Sequence, residues 1–213
     1  MSGLSERMEY HISKNRLETL VDGIFAIAMT ILVLGITPPQ PDISQAQAVL
    51  TAQIIDLFPE FFIFIISFLI LAGFWLGHHR QFHFVRVIDS RLLWINIFLL
   101  SSLVFIPFST DVAGDYPDIL IAVLLFHVNI IIIGLIFSYH VHYISRSKNL
   151  CDPNTDKKFL HVQFHRSILI TGIAFIAAII SFVNPSVSLL VYLVVPVAGY
   201  FVQQSGSRTK EEV

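Results

Sequence analysis

All 13 Lys and Arg residues of this chain lie on one side of six apolar stretches. They sit in the N-terminal segment (Arg7, Lys14, Arg16), after the second stretch (Arg80, Arg86, Arg91), after the fourth (Arg146, Lys148, Lys157, Lys158, Arg166) and in the tail (Arg208, Lys210). The intervening loops hold Asp42, Asp111, Asp115 and Asp118 and no cation. Membrane proteins keep cationic loops on the cytoplasmic side. The alternation therefore predicts an all-α integral membrane protein of the cell membrane. Six transmembrane helices cross it, and both termini are cytoplasmic.

The apolar stretches place the helices at about 20–36, 57–77, 92–109, 119–145, 167–183 and 187–203, in one domain covering 1–213. Each is long enough for a hydrocarbon core of about 30 Å. Hydrophobic residues make up 55% of the chain and charged residues 13%, which excludes an ordinary soluble domain. The basic residues face the inner membrane surface, so no nucleic-acid partner is implied. Thr37-Pro38-Pro39 stops the first helix, and a short interfacial helix is expected over 44–56. Asn184-Pro185-Ser186 forms an outer turn. The first stretch is read as a permanent helix, because a charged segment longer than a usual leader precedes it. The single cysteine, Cys151, excludes a disulfide within the chain and falls in a cytoplasmic loop.

Asp22 is the costliest residue to place, a carboxylate on the first turn or so of the first helix. Such a residue needs a partner and marks a functional candidate. Trp75, His78 and His79 at the inner end of the second helix, and Asn96 at that of the third, share its depth. A ring of these groups can satisfy its own hydrogen bonds. It serves either as a clamp of three helices or as part of a conduction machinery. Beyond Asp22, Ile27, Thr30, Ile31 and Leu34 share one helical face, while Gly23, Ala26 and Ala28 permit close helix approach. Periodicity alone assigns that stripe to lipid or core contact.

Nine histidines raise the question of a metal or haem. His79/His83 and His161/His165 have i, i+4 spacing, but neither pair encloses the Glu of an H-E-x-x-H site. Both pairs fall where a solvated imidazole costs little. His127 is placed deep in the fourth helix, and His140 and His142 near the interface. No cofactor and no structural metal are expected. Without a Ser–Lys, G-x-S-x-G or paired-Asp signature, no enzyme activity is expected either.

The run from Arg16 to Thr30, with Arg16 and Asp22 at the ends of an R-x-x-x-F-S-D pattern, resembles the prokaryotic branch of the transmembrane protein 175 family, the endolysosomal potassium channels. Ser67-Phe68, Phe74-Trp75, His78-His79-Arg80 and Phe82 extend the resemblance, as do Leu92-Leu93-Trp94-Ile95-Asn96 and Phe105-Ile106-Pro107-Phe108. About half the chain is covered. Leu20 and Val21 stand where the family has Phe and Ser, which removes one hydroxyl from the expected network.

The resemblance implies a homotetrameric cation channel with six helices per subunit and no T-V-G-Y-G filter. The first helix then lines the pore. Ile27 forms the constriction, Thr30, Ile31 and Leu34 face the pore above it, and K+ passes transiently near Thr30. Arg16, Asp22, Trp75, His78, His79 and Asn96 form the network joining the first three helices. The implied partners are K+, the bilayer and three further copies of the chain. The alternative is a proton-coupled or proton-conducting transporter using Asp22 and the histidines at the cytoplasmic ends.

Overall fold

The computed structural model describes residues 13–147, 150–151 and 157–195. These residues are helical apart from short connections and one isolated antiparallel bridge, Val85 to Cys151. Helix α1 (Lys14–Ile31) tightens into a 3-10 turn (Leu32–Gly35) before Pro38 and Pro39. Helix α2 (Ala46–Asp56) lies where an interfacial helix was expected, and none of its residues is buried. Helices α3 (Phe58–Phe82), α4 (Ser90–Val104), α5 (Ile106–Asp115), α6 (Leu120–Arg146), α7 (Lys157–Ser181) and α8 (Pro185–Leu190) follow, and a 3-10 turn (Val191–Leu193) continues α8.

Five helical segments among the described residues are long and apolar enough to cross a bilayer: Lys14–Gly35, Phe58–Phe82, Ser90–Asp115, Leu120–Arg146 and Leu160–Ser181. The chain is a multi-pass membrane protein. Of the sixth expected helix, only the outer part is described, starting at α8; 196–203 lie outside the described residues, as do Arg7, Lys148, Arg208 and Lys210. Asn184 caps α8, its side chain accepting from Val187 N at 3.0 Å.

Three boundaries differ from the sequence reading. Helices α1, α3 and α7 run well past the apolar stretches at their basic ends, so Lys14, Arg16, Arg80 and Arg166 are helical rather than loop residues. A hydropathy pattern ends at the first charge, whereas a helix continues for as long as its backbone gains from internal hydrogen bonds. Asp111 and Asp115 lie on α5, not in a loop. The third crossing is two helices that break at Phe105. Pro107 has no N–H to offer the Leu103 carbonyl, so the α-helical ladder cannot pass through it.

A side chain repairs that break. Asn129 of α6, its amide oxygen facing the Ile106 N–H, accepts from it at 3.3 Å and from Ser109 Oγ at 3.1 Å. The Asn129 nitrogen donates to the Ser102 carbonyl at 3.1 Å. Ser102 O and Ile106 N are the pair an unbroken helix joins directly. In lipid neither group could turn to water, so the amide of Asn129 leaves neither orphaned at the break.

Helix α6 is the hub, packing against α4, α5, α7 and α8. Its closest approach is to α7, where Gly134 leaves no room for a Cβ against Thr171. Helix α1 is peripheral, with one face against α3, α4 and α5. That face is Leu17, Val21, Phe25, Ala28 and Leu32, all buried. Replacing Asn129 by Leu should lower stability by about 1–3 kcal/mol, read as a reduced Tm of the detergent-purified protein. Ser102→Ala, which keeps the main-chain acceptor, should stay near wild type.

Candidate functional site

The face of α1 opposite its packed side is open. Ile27 is 58% exposed, Ile31 44% and Leu34 77%. Thr30 is exposed between them, as are Gly23 and Ala26 toward the N-terminus. Residues 27, 30, 31 and 34 form one stripe because steps of three and four return to the same side of an α-helix. Thr30 Oγ1 donates to the Ile27 carbonyl at 2.8 Å. Its proton is thus committed to the helix, and its oxygen lone pairs remain to accept or to face a cation.

The stripe borders a cavity of about 540 Å³ whose other wall is α5 and the end of α4, through Val104, Pro107, Phe108 and Asp111. Asp111 packs beside Gly35, where an added Cβ would lie 2.5 Å from its carboxylate. The break at Pro107 brings this carboxylate to the end of the α1 stripe.

The polar residues near the basic ends separate into two sets. In the first, Trp75 Nε1 donates to Asp22 Oδ1 at 2.9 Å, joining α3 to α1 at an exposed position. In the second, His78 Nε2 meets Asn96 Oδ1 at 2.8 Å, and Asn96 Nδ2 meets the Leu92 carbonyl at 2.8 Å and His140 Nε2 at 3.2 Å. His140 Nδ1 meets Gln81 Oε1 at 2.8 Å. One proton arrangement satisfies every contact of this set. His78 donates to Asn96, Asn96 donates to Leu92 and His140, and His140 donates to Gln81, with both imidazoles neutral. Phe82 stacks on both rings, at 4.3 Å from His78 and 5.7 Å from His140.

The single ring expected from sequence is thus corrected in three respects. Arg16 stands exposed on α1 and takes no part in either set. His79 is exposed, and its ring lies 6.0 Å from Trp75 rather than within a hydrogen bond. His140, which was not part of the expected ring, is fully buried and extends the network to α6 with Gln81. Its burial was hidden because an apolar count along α6 does not tell which face of the helix packs inward.

His127 is buried as expected, and both its ring nitrogens are engaged, Nδ1 with Tyr192 at 2.9 Å and Nε2 with Ser188 at 2.9 Å. It locks α8 onto α6. His83, His161 and His165 are exposed, and His165 Nδ1 turns to the His161 carbonyl at 2.7 Å. Among the described residues no three His, Cys, Asp or Glu side chains are grouped to hold a metal. Cys151 is half-buried, its sulfur near the Ile144 carbonyl at 3.8 Å, and burial pushes its thiol up, away from a reactive thiolate.

Residues 16–107, which carry the α1 stripe, both polar sets except Gln81's partner His140, and the break at Pro107, match the sequence model of the endosomal/lysosomal potassium channel TMEM175. Over those residues the chain resembles the TMEM175 family. It is 27% identical to a potassium channel of Chamaesiphon minutus over 90% of this chain and 95% of that one. The crystal structure of a lysosomal potassium-selective channel TMEM175 homologue from Chamaesiphon minutus superposes with a TM-score of 0.75 at 25% identity, covering 91% of this chain and 97% of the other. The chain is also 24% identical to the endosomal/lysosomal proton channel TMEM175 of Homo sapiens, over 90% of its own length and 38% of the human one. The match to the family model stops at residue 107, near the start of α5, so Asn129 and His140 lie outside it.

The two polar sets should behave as separate units. Asn96→Leu strands His78 and His140 together and should cost about 3 kcal/mol. Asp22→Ala removes one exposed contact and should cost about 1 kcal/mol. The double variant should lose the sum within about 0.5 kcal/mol, measured by thermal unfolding in detergent; a smaller loss would make the two sets one network.

Proposed function

We propose that this chain is one subunit of a homotetrameric, potassium-permeable cation channel of the cell membrane, with α1 at the axis and both termini cytoplasmic. The observation that carries the reading is the α1 stripe. Ile27, Thr30, Ile31 and Leu34 are left open by a helix whose opposite side is fully packed. Four copies arranged around an axis give that face a use that one copy does not.

In this arrangement Ile27 supplies the constriction. A ring of four branched aliphatic side chains excludes water and closes the path by dewetting. Thr30 stands one turn outward, its oxygen free to accept because its proton goes to the Ile27 carbonyl. A ring of such oxygens replaces part of a cation's hydration shell, and potassium surrenders water more readily than sodium. Selectivity then follows from the cost of dehydration. Asp111, at the outer end of the stripe, attracts cations to the entrance. No fixed positive charge lies along the α1 stripe to oppose them.

The second reading, a proton pathway through Asp22 and the histidines, draws on the name of the human relative. The geometry favours it less. Asp22 is joined to the indole N–H of Trp75, which does not titrate, and its charge reaches His78 only through space, with no hydrogen bond between them.

Purified protein reconstituted in liposomes should release K+ down its gradient, and Ile27→Asn should raise the flux several-fold by wetting the constriction. Thr30→Ala should reduce the preference for K+ over Na+. Purified particles should show fourfold symmetry. The proposal fails if neither wild type nor Ile27→Asn conducts K+; acidification of the lumen under a pH gradient without K+ flux would select the proton reading.

A further inference from the structure

The open side of α1 does not end at Ile27. From Thr30 toward the basic end its exposed residues continue as Ile27, Gly23 and Leu20, at intervals of three, four and three. Leu20 is 49% exposed, against 58% for Ile27. Seven residues bring an α-helix round to within about 20° of its starting direction and carry it about 10 Å along its axis. Leu20 therefore shares the side of Ile27, two turns closer to the basic end. Val21, next to it, is buried on the packed side. Asp22 is held to Trp75, which fixes the rotation of this part of the helix. Gly23 has no side chain, and a Cβ added there would meet nothing within 4 Å. The next step, at an interval of four, is the exposed Arg16, so Leu20 is the last apolar level on this side.

Alternating steps of three and four on an open helix face are the pattern by which parallel helices meet about a common axis. Here the pattern alternates branched aliphatic side chains, Leu20 and Ile27, with small or hydroxyl ones, Gly23 and Thr30. Copies related by a rotation axis bring the same residue together at each level. A level of branched aliphatic chains narrows and dries a path, whereas a level of glycine widens it. We propose that Leu20 forms a second apolar constriction in series with Ile27, and that the Gly23 level between them is a wider chamber able to hold a hydrated cation. This assignment rests on α1 lining the pore. Two barriers in series add their resistances, so relieving the one at Ile27 leaves the one at Leu20 in control of the flux.

The test uses the full chain reconstituted in liposomes, with Ile27→Asn as the conducting background. Added to it, Leu20→Asn should raise K+ flux several-fold further and Leu20→Phe should lower it. Both should keep the Tm of the background, because Leu20 lies off the packed side. Opposite responses to the two substitutions separate a constriction from a general loss of packing. Leu20→Cys, in the same background with Cys151→Ala, should make the flux sensitive to Cd2+ added on both sides, since thiols converging at one level ligate a soft cation. The background carrying only Cys151→Ala should not respond, and a chelator should restore the flux. If Ile27→Asn conducts but its flux ignores Leu20→Asn and Leu20→Phe, the second constriction is overturned while the pore stands. Absence of Cd2+ block in Leu20→Cys overturns it equally. If Ile27→Asn does not conduct at all, the pore falls and the second constriction with it.

Discussion

A backbone amide in lipid has no water to turn to, and the architecture of this chain follows from how that constraint is met at one point. The third crossing must break, because Pro107 cannot continue the ladder. Asn129 reaches from α6 to take up the Ser102 carbonyl and the Ile106 N–H. With those groups satisfied, α5 packs against α3, α6 and the 3-10 turn that ends α1. The direction of α5 in turn sets Phe108 and Asp111 against the α1 stripe and shapes the cavity beside it. A single amide on the central helix thus connects the packing of the bundle to the surroundings of the candidate pore face.

Helix α1 is held in two ways that leave its other side free. Apolar contact fixes Leu17, Val21, Phe25, Ala28 and Leu32. A polar contact, Trp75 to Asp22, fixes its rotation near the basic end. The stripe of Ile27, Thr30, Ile31 and Leu34 therefore has a defined orientation although it is left exposed among the described residues. Behind α1, the set formed by His78, Asn96, His140 and Gln81 ties α3, α4 and α6 together with a consistent direction of donors. One proton arrangement suits the contacts between these side chains, and an unmatched partner in a low-dielectric interior is costly.

The two faces of the bundle carry different chemistry. The α1 side offers an apolar stripe with one hydroxyl and a carboxylate at its end. The α3–α7 side offers a largely apolar groove whose lining includes Arg80 and Arg166.

Much of the organisation was legible in the residues themselves. The one-sided placement of Lys and Arg and the lengths of the apolar stretches indicate the crossings, because insertion depends on local hydropathy and charge. The turn at Asn184 and the end of α1 before Pro38 follow from chemistry confined to a few adjacent residues. The partnership of His78 with Asn96 was within reach of a depth argument, since both lie near helix ends at a shared level. What the sequence did not reveal depends on which side of a helix faces which neighbour. His140 and Asn129 look like polar interruptions in a long apolar helix, and only the packing of α6 against α3 and α4, and against the break at Pro107, gives each its partner. Asp22 and His78 lie at one depth yet belong to different sets, because depth is one coordinate and hydrogen bonding needs all three. Sequence indicated the five crossings found among the described residues, since each crossing is a local transfer of side chains from water to lipid. Tertiary structure decided which polar groups meet and which face of α1 stays open, since both depend on the rotation of rigid helices about axes that no local pattern defines.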